Sequence, residues 1–167
     1  MASSRRSERV RAGWRIALLV LALASARAYA AEPPLEVTGP DGAPVQLVLR
    51  DGEAALIVHF WASWCPECAR EFPALERIAA RCAGTLTVAA VNVGESLAAA
   101  EEFRARHGPG LSLLRDPDGK LWRRFARGLP ANLIQTRDGQ SVVTGPYSEA
   151  EWEERLRALG CPTAKPE

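Results

Sequence analysis

Apolar residues fall along this chain in short runs, and their period changes in a regular order. Val45-Gln46-Leu47-Val48-Leu49 alternates as a half-buried strand does. Ala55-Leu56-Ile57-Val58-His59-Phe60-Trp61 is continuous, β-branched and aromatic, which predicts a strand covered on both faces. Over 66–82 the period becomes helical, with Phe72, Leu75, Ile78 and Ala79 on one face. Thr85 to Val93 reads as a second buried strand, and Glu95 to Arg106 as a helix packing through Leu97, Ala98 and Phe103. Leu111–Leu114 predicts a short strand closed by the turn Asp116-Pro117-Asp118-Gly119, with a short helix over 121–126. Leu133-Ile134-Gln135 and Ser141-Val142-Val143 flank Asp138-Gly139 as a hairpin. Ser148 and Glu151 form a capping box for a last helix bearing Trp152, Leu156 and Leu159. Strands and helices that alternate first, followed by a hairpin and a helix, predict an α/β fold with a mixed sheet.

The first 30 residues follow a different pattern. Arg5, Arg6, Arg9, Arg11 and Arg15 precede an apolar stretch over 16–24, and Ala28-Tyr29-Ala30 offers small residues where a signal peptidase cuts. The stretch is shorter than the ~20 residues of a membrane span. A cleaved secretory signal over 1–30 is expected, with an uncleaved anchor through 16–26 as the alternative. Glu32-Pro33-Pro34 opens an extended lead-in over 31–41 that is expected to lie outside the core. One domain over 42–161 and a tail over 162–167 follow. Losing residues 1–30 removes six arginines and one glutamate, taking the formal net charge from +1 to −4. A mildly acidic domain without a basic cluster predicts no nucleic-acid binding.

The chemistry sits where the central strand ends. Trp64-Cys65-Pro66-Glu67-Cys68 places two cysteines across a strand-to-helix turn. There the free N–H groups and helix dipole stabilise a Cys65 thiolate, and Pro66 suits the first helical position. Zinc would need two further ligands, and His59, His107, Cys82 and Cys161 form no second close pair, so no metal and no cofactor are expected. A purely structural disulfide gains little from so short a loop. A redox dithiol is the reading that remains.

Four motifs in this order resemble the thioredoxin superfamily, and more narrowly its periplasmic TlpA/ResA/CcmG-like thiol-disulfide oxidoreductases. They are Phe60-Trp61-Ala62-Ser63-Trp64-Cys65-Pro66-Glu67-Cys68, Glu71-Phe72-Pro73, Asp116-Pro117-Asp118-Gly119 and Gly128-Leu129-Pro130. The resemblance implies a thioredoxin-like α/β fold, a mixed central sheet flanked by helices on both faces. It also implies a cis peptide at Pro130 and a kinking Pro73. His59 departs from the buried acid of thioredoxin and the Asn frequent in this subfamily. Ala131-Asn132 stands where hydroxyl-bearing residues are usual, and Pro66-Glu67 replaces Gly-Pro.

The expected roles follow. Cys65, the more exposed cysteine, is the nucleophile and Cys68 resolves the mixed disulfide. Glu71, three residues after Cys68, is the proton acceptor if the resemblance holds, and otherwise a solvated residue or a partner of Arg70 or Arg77. His59 is a second candidate for proton handling, set against a hydrogen-bonded core histidine. Trp61 belongs to the core, whereas Trp64 and Pro66 contact substrate, and Leu129 and Pro130 offer main-chain groups to an extended substrate segment. Both helices that end at Cys82 and Cys161 lie on one side of the sheet in this architecture, so a structural Cys82–Cys161 disulfide is weighed against a buried free Cys82. The resemblance suggests a monomeric reductant of protein disulfides in cytochrome c or copper-site maturation, fed by a membrane thiol reductase. The competing class is a protein carrying Cu(I) on the same cysteines.

Overall fold

In the computed structural model, residues 34–162 are described; the expected signal segment over 1–30 lies outside them. A seven-stranded sheet is ordered β2-β1-β5-β4-β3-β6-β7. Its strands are β1 (Leu35–Thr38), β2 (Pro44–Leu47), β3 (Ala55–Trp61), β4 (Leu86–Val93), β5 (Leu114–Asp116), β6 (Ala131–Thr136) and β7 (Gly139–Thr144). Between them run α1 (Pro66–Arg81), α2 (Leu97–His107) and α3 (Lys120–Phe125), and α4 (Glu149–Ala158) closes the domain. β3 pairs parallel with β4 and antiparallel with β6, so the sheet is mixed.

Every residue of β3 is buried because both faces of the sheet are covered. On one face Ile57 and Trp61 pack with Phe72, Leu75 and Ile78 of α1, Phe103 of α2, and Trp152 and Leu156 of α4. On the other, Leu56, Val58 and Phe60 pack with Leu121 of α3 and with Leu35 and Val37 of β1. Trp61 stacks on Phe103, and Phe72 meets both rings edge-on, which fixes α1 against the end of β3. Pro73 stands inside α1, where it removes the N–H that would bond the Ala69 carbonyl. Ser148 and Glu151 make the capping box at the start of α4.

Three expectations are corrected. The lead-in over 31–41 contains β1, whose Leu35 and Val37 are buried in the core, so the sheet begins before residue 42. The strand expected over 111–114 starts at Leu114 and runs into Arg115 and Asp116. Leu111 and Leu113 are buried, but against the α1–α2 side rather than in the ladder. In α2 the buried residues are Ala100 and Phe103, while Ala98 faces out.

Candidate redox site

Cys65 is the N-cap of α1, and its sulfur accepts the Cys68 N–H at 3.2 Å. Pro66 takes the first helical position, where its missing N–H has no intrahelical partner to lose. Cys65 and Cys68 are joined in a disulfide with Cα atoms 5.3 Å apart. Cys65 retains 3% of its surface and Cys68 none, the order that an attacking and a resolving cysteine require. Beside them Trp64 is 69% exposed, whereas Trp61 is fully buried. The Leu129–Pro130 peptide is cis; Leu129 is half-buried and packs against both core clusters, and Pro130 O accepts the Gly145 N–H at 2.8 Å.

A buried polar cluster joins α1 to β3 and β6. Glu71 projects from α1 three residues after Cys68, on the core-facing side with Phe72 and Leu75. Its Oε1 accepts Asn132 Nδ2 at 3.1 Å, Trp152 Nε1 at 3.1 Å and the Tyr147 N–H at 3.3 Å. Its Oε2 has no hydrogen-bond partner. Burial raises the Glu71 carboxyl above its ordinary value, and three donors on one oxygen only partly offset this. Its burial excludes the solvated-glutamate alternative, and Arg70 and Arg77 pair instead with Glu67 and Glu149.

His59 completes the cluster from β3. It stands opposite Asn132 of β6 in the antiparallel register, and Nδ1 lies 2.8 Å from Asn132 Oδ1. The network orients that amide: Nδ2 is committed to Glu71, so Oδ1 faces the imidazole and His59 carries its proton on Nδ1. Nε2 is then a buried acceptor without a partner. Full burial lowers His59 to about 4 despite the Asn132 bond, so the ring is neutral near pH 7. The 3.9 Å approach of Nδ1 to Glu71 Oε2 is therefore not an ion pair. Asn132, noted in the sequence only as a departure from the family pattern, is the residue that joins the two candidates.

Cys82 caps the other end of α1 and is joined to Cys161, just after α4, with Cα atoms 5.3 Å apart. Of the residues singled out in the sequence, Cys65 and Cys68 stand at the head of α1, and Glu71, one turn beyond Cys68, meets His59 of β3. Cys82 and Cys161 lie at the foot of α1. Glu95, which no pattern distinguished, holds the loop before Cys65: its carboxylate accepts the Ser63 N–H at 2.7 Å and the Ser63 Oγ at 2.5 Å.

Known proteins are similar to this chain in sequence and fold. The soluble secreted antigen MPT53 of Mycobacterium tuberculosis is 30% identical over 140 residues, spanning 80% of each chain. A thiol:disulfide interchange protein DsbE homolog from Paracoccus denitrificans is 41% identical over 66 residues, 39% of this chain and 35% of that one. The crystal structure of a putative DsbE from Chlorobium tepidum superposes with a TM-score of 0.66 at 28% identity, covering 77% of this chain and 94% of the other. The thioredoxin family model matches residues 45–136, the segment from β2 through the dithiol and the cis proline to the end of β6. A disulfide closed at a helix N-terminus, within this fold and among these relatives, makes the chain a thiol-disulfide oxidoreductase that belongs to the thioredoxin family.

Proposed function

We propose that this oxidoreductase is exported and works as a reductant of protein disulfides, with cytochrome c haem-site or copper-site cysteines as its substrates. The observation that carries the mechanism is the buried Glu71, raised by burial and one helical turn beyond Cys68. In the reduced protein the Cys65 thiolate attacks one sulfur of a substrate disulfide. A Cys65–substrate bond forms, and the other substrate sulfur leaves as a thiolate that takes a proton. Cys68 then passes its proton to Glu71 and attacks the Cys65 sulfur. The Cys65–Cys68 disulfide closes and the second substrate thiolate departs. Two electrons have moved from the dithiol to the substrate, and a membrane thiol reductase returns them.

Glu71 suits the acceptor's part because a carboxylate raised by burial draws nearer to a thiol in proton affinity. His59 is neutral and so can also accept a proton, through a lone pair on Nε2 that nothing else occupies. Trp64 and Pro66 border Cys65 and would meet the substrate, which would lie along Leu129 and Pro130 as an added strand. Export is supported by the signal-like start and by the secreted relative. Among the described residues no helix is long and apolar enough to cross a membrane. The copper-carrying alternative gains no support: among those residues, no group of three His, Cys, Asp or Glu side chains could hold a metal ion.

The reduction potential of the Cys65–Cys68 couple tests the direction. A value well below that of the proposed substrates' disulfides is expected, whereas one well above makes the protein an oxidant; ~30 mV corresponds to ~1.4 kcal/mol. N-terminal sequencing of the exported form should begin at Ala31, and size-exclusion chromatography should give a monomer.

A further inference from the structure

The segment that presents Cys65 is a tight turn. The Cys65 N–H donates to Ala62 O at 3.1 Å, leaving Ser63 and Trp64 as its two central residues. Trp64 extends into solvent and cannot hold the turn by packing. Ser63 is held instead, and from another part of the chain. Glu95 Oε2 accepts the Ser63 N–H at 2.7 Å and Asn92 Nδ2 at 2.6 Å, while Oε1 accepts the Ser63 hydroxyl at 2.5 Å.

Glu95 is itself fixed on both sides. Asn92 lies opposite Trp61 in the parallel β3–β4 register, so the ends of the two strands are neighbours. Gly94 adopts φ +70°, a conformation that favours glycine, and its N–H donates to Asp116 O at 3.1 Å. Ser96 then caps α2 by accepting the Ala99 N–H. The carboxylate is thus anchored by a strand end, a glycine turn and a helix cap, and spans from that frame to the turn before the dithiol.

We propose that Glu95 is a positioning residue for thiol-disulfide exchange, acting through Ser63 to fix the turn that carries Trp64 and delivers Cys65 to substrate. The inference rests on Cys65 as nucleophile and Trp64 as substrate contact. Its content is geometric rather than electrostatic. A glutamine at position 95 can keep all three contacts. Its oxygen accepts from the Ser63 N–H and Asn92, and its amide donates to the Ser63 hydroxyl, which can accept as well as donate. Alanine keeps none.

The test uses the full-length protein, reduced, with a synthetic peptide disulfide as substrate. Glu95→Ala is expected to lower kcat/KM tenfold or more and to release the Ser63 amide from protection against hydrogen exchange. Glu95→Gln should stay within about threefold of wild type on both measures. Ser63→Ala, which loses only the hydroxyl contact, should fall between them and carries the test with Glu95→Gln should the alanine variant not fold. Exchange by Glu95→Ala within twofold of wild type would overturn the proposal. So would equal losses for Glu95→Gln and Glu95→Ala, because the charge would then be the operative feature. Cys65→Ser, run alongside, separates the two levels. Residual exchange in that variant removes the nucleophile assignment and this inference with it, whereas a dead Cys65→Ser beside an unaffected Glu95→Ala removes this inference alone.

Discussion

Helix α1 carries a disulfide at each end, and the two ends differ in nearly everything except their span. Both pairs hold their Cα atoms 5.3 Å apart. The N-terminal pair joins residues 3 apart, the C-terminal pair residues 79 apart. In the chain-entropy account, closing the short loop stabilises the fold by about 2 kcal/mol and closing the long one by about 4.5 kcal/mol. The helix dipole adds a second asymmetry. Cys65 sits at the positive end, which favours a thiolate, and Cys82 at the negative end, which opposes one. Both disulfides belong to one apolar cluster. The buried carboxyl of Glu71, however, comes one helical turn after Cys68, in the half of α1 nearer the N-terminal pair, with neutral His59 3.9 Å from it. Chemistry goes to the end where the bond is easily opened, and cross-linking to the end where opening it costs most.

The comparison breaks first if the roles of the cysteines are exchanged. Cys65→Ser is expected to abolish insulin reduction, and Cys68→Ser to accumulate a mixed disulfide with substrate, visible by mass spectrometry under non-reducing conditions. An adduct on the Cys65 variant instead would reverse the assignment.

Removing the other bond should do the opposite. The double variant Cys82→Ala/Cys161→Ala is expected to lose about 2–5 kcal/mol in denaturant unfolding while retaining exchange at Cys65. Loss of exchange with the fold intact would mean that the foot of the helix takes part in the chemistry.

His59 sharpens the contrast through pH. With its folded value lowered from the ordinary 6.5 to about 4, the unfolded chain binds the extra proton between those limits and the folded chain does not. Stability contributed by neutral His59 is therefore complete above about 6.5 and is lost as pH falls to about 4. At about 1.36 kcal/mol per pH unit the loss is capped near 3 kcal/mol. Glu71, raised in the fold, acts with opposite sign, its protonated form being favoured at lower pH. The difference in slope between wild type and His59→Asn in this window isolates the histidine, and identical slopes would contradict its burial in neutral form.

The smallest effect concerns Glu71→Gln. It should preserve both disulfides and slow release of reduced substrate by at least about tenfold, with the pH–rate limb due to the carboxyl missing. Matching pH–rate profiles would pass the proton to His59 or to water.

How much of this was legible in the chain depends on whether the signal is local. The strand, dithiol and helix from Ala55 to Arg81 are local: an unbroken apolar run, a turn and a 3.6-residue period written in one segment. β1 was not legible, because four residues between Pro34 and Gly39 with two apolar positions carry too little periodicity. β5 was displaced because Leu111 and Leu113 are buried without being in the sheet, and hydrophobicity alone does not tell a core-facing loop from a strand. The polar cluster was half legible. His59 stood out as a titratable residue in an apolar run and Glu71 only through the family pattern after the dithiol, but Asn132 gains meaning only when β6 pairs with β3 and brings it opposite His59. Glu95 had no local signal, since a glutamate just ahead of a helix is unremarkable until Ser63 is seen beside it.

The Cys82–Cys161 bond also decides what a protease can achieve. The β6–β7 hairpin turns at Arg137-Asp138 on the exposed surface, a natural place for a first cut. A cut there falls between Cys82 and Cys161, so the two fragments remain one covalent particle, with α4 still tied to the foot of α1. On a non-reducing gel the nicked protein would run as a single band, and it would separate into two only after a thiol had been added.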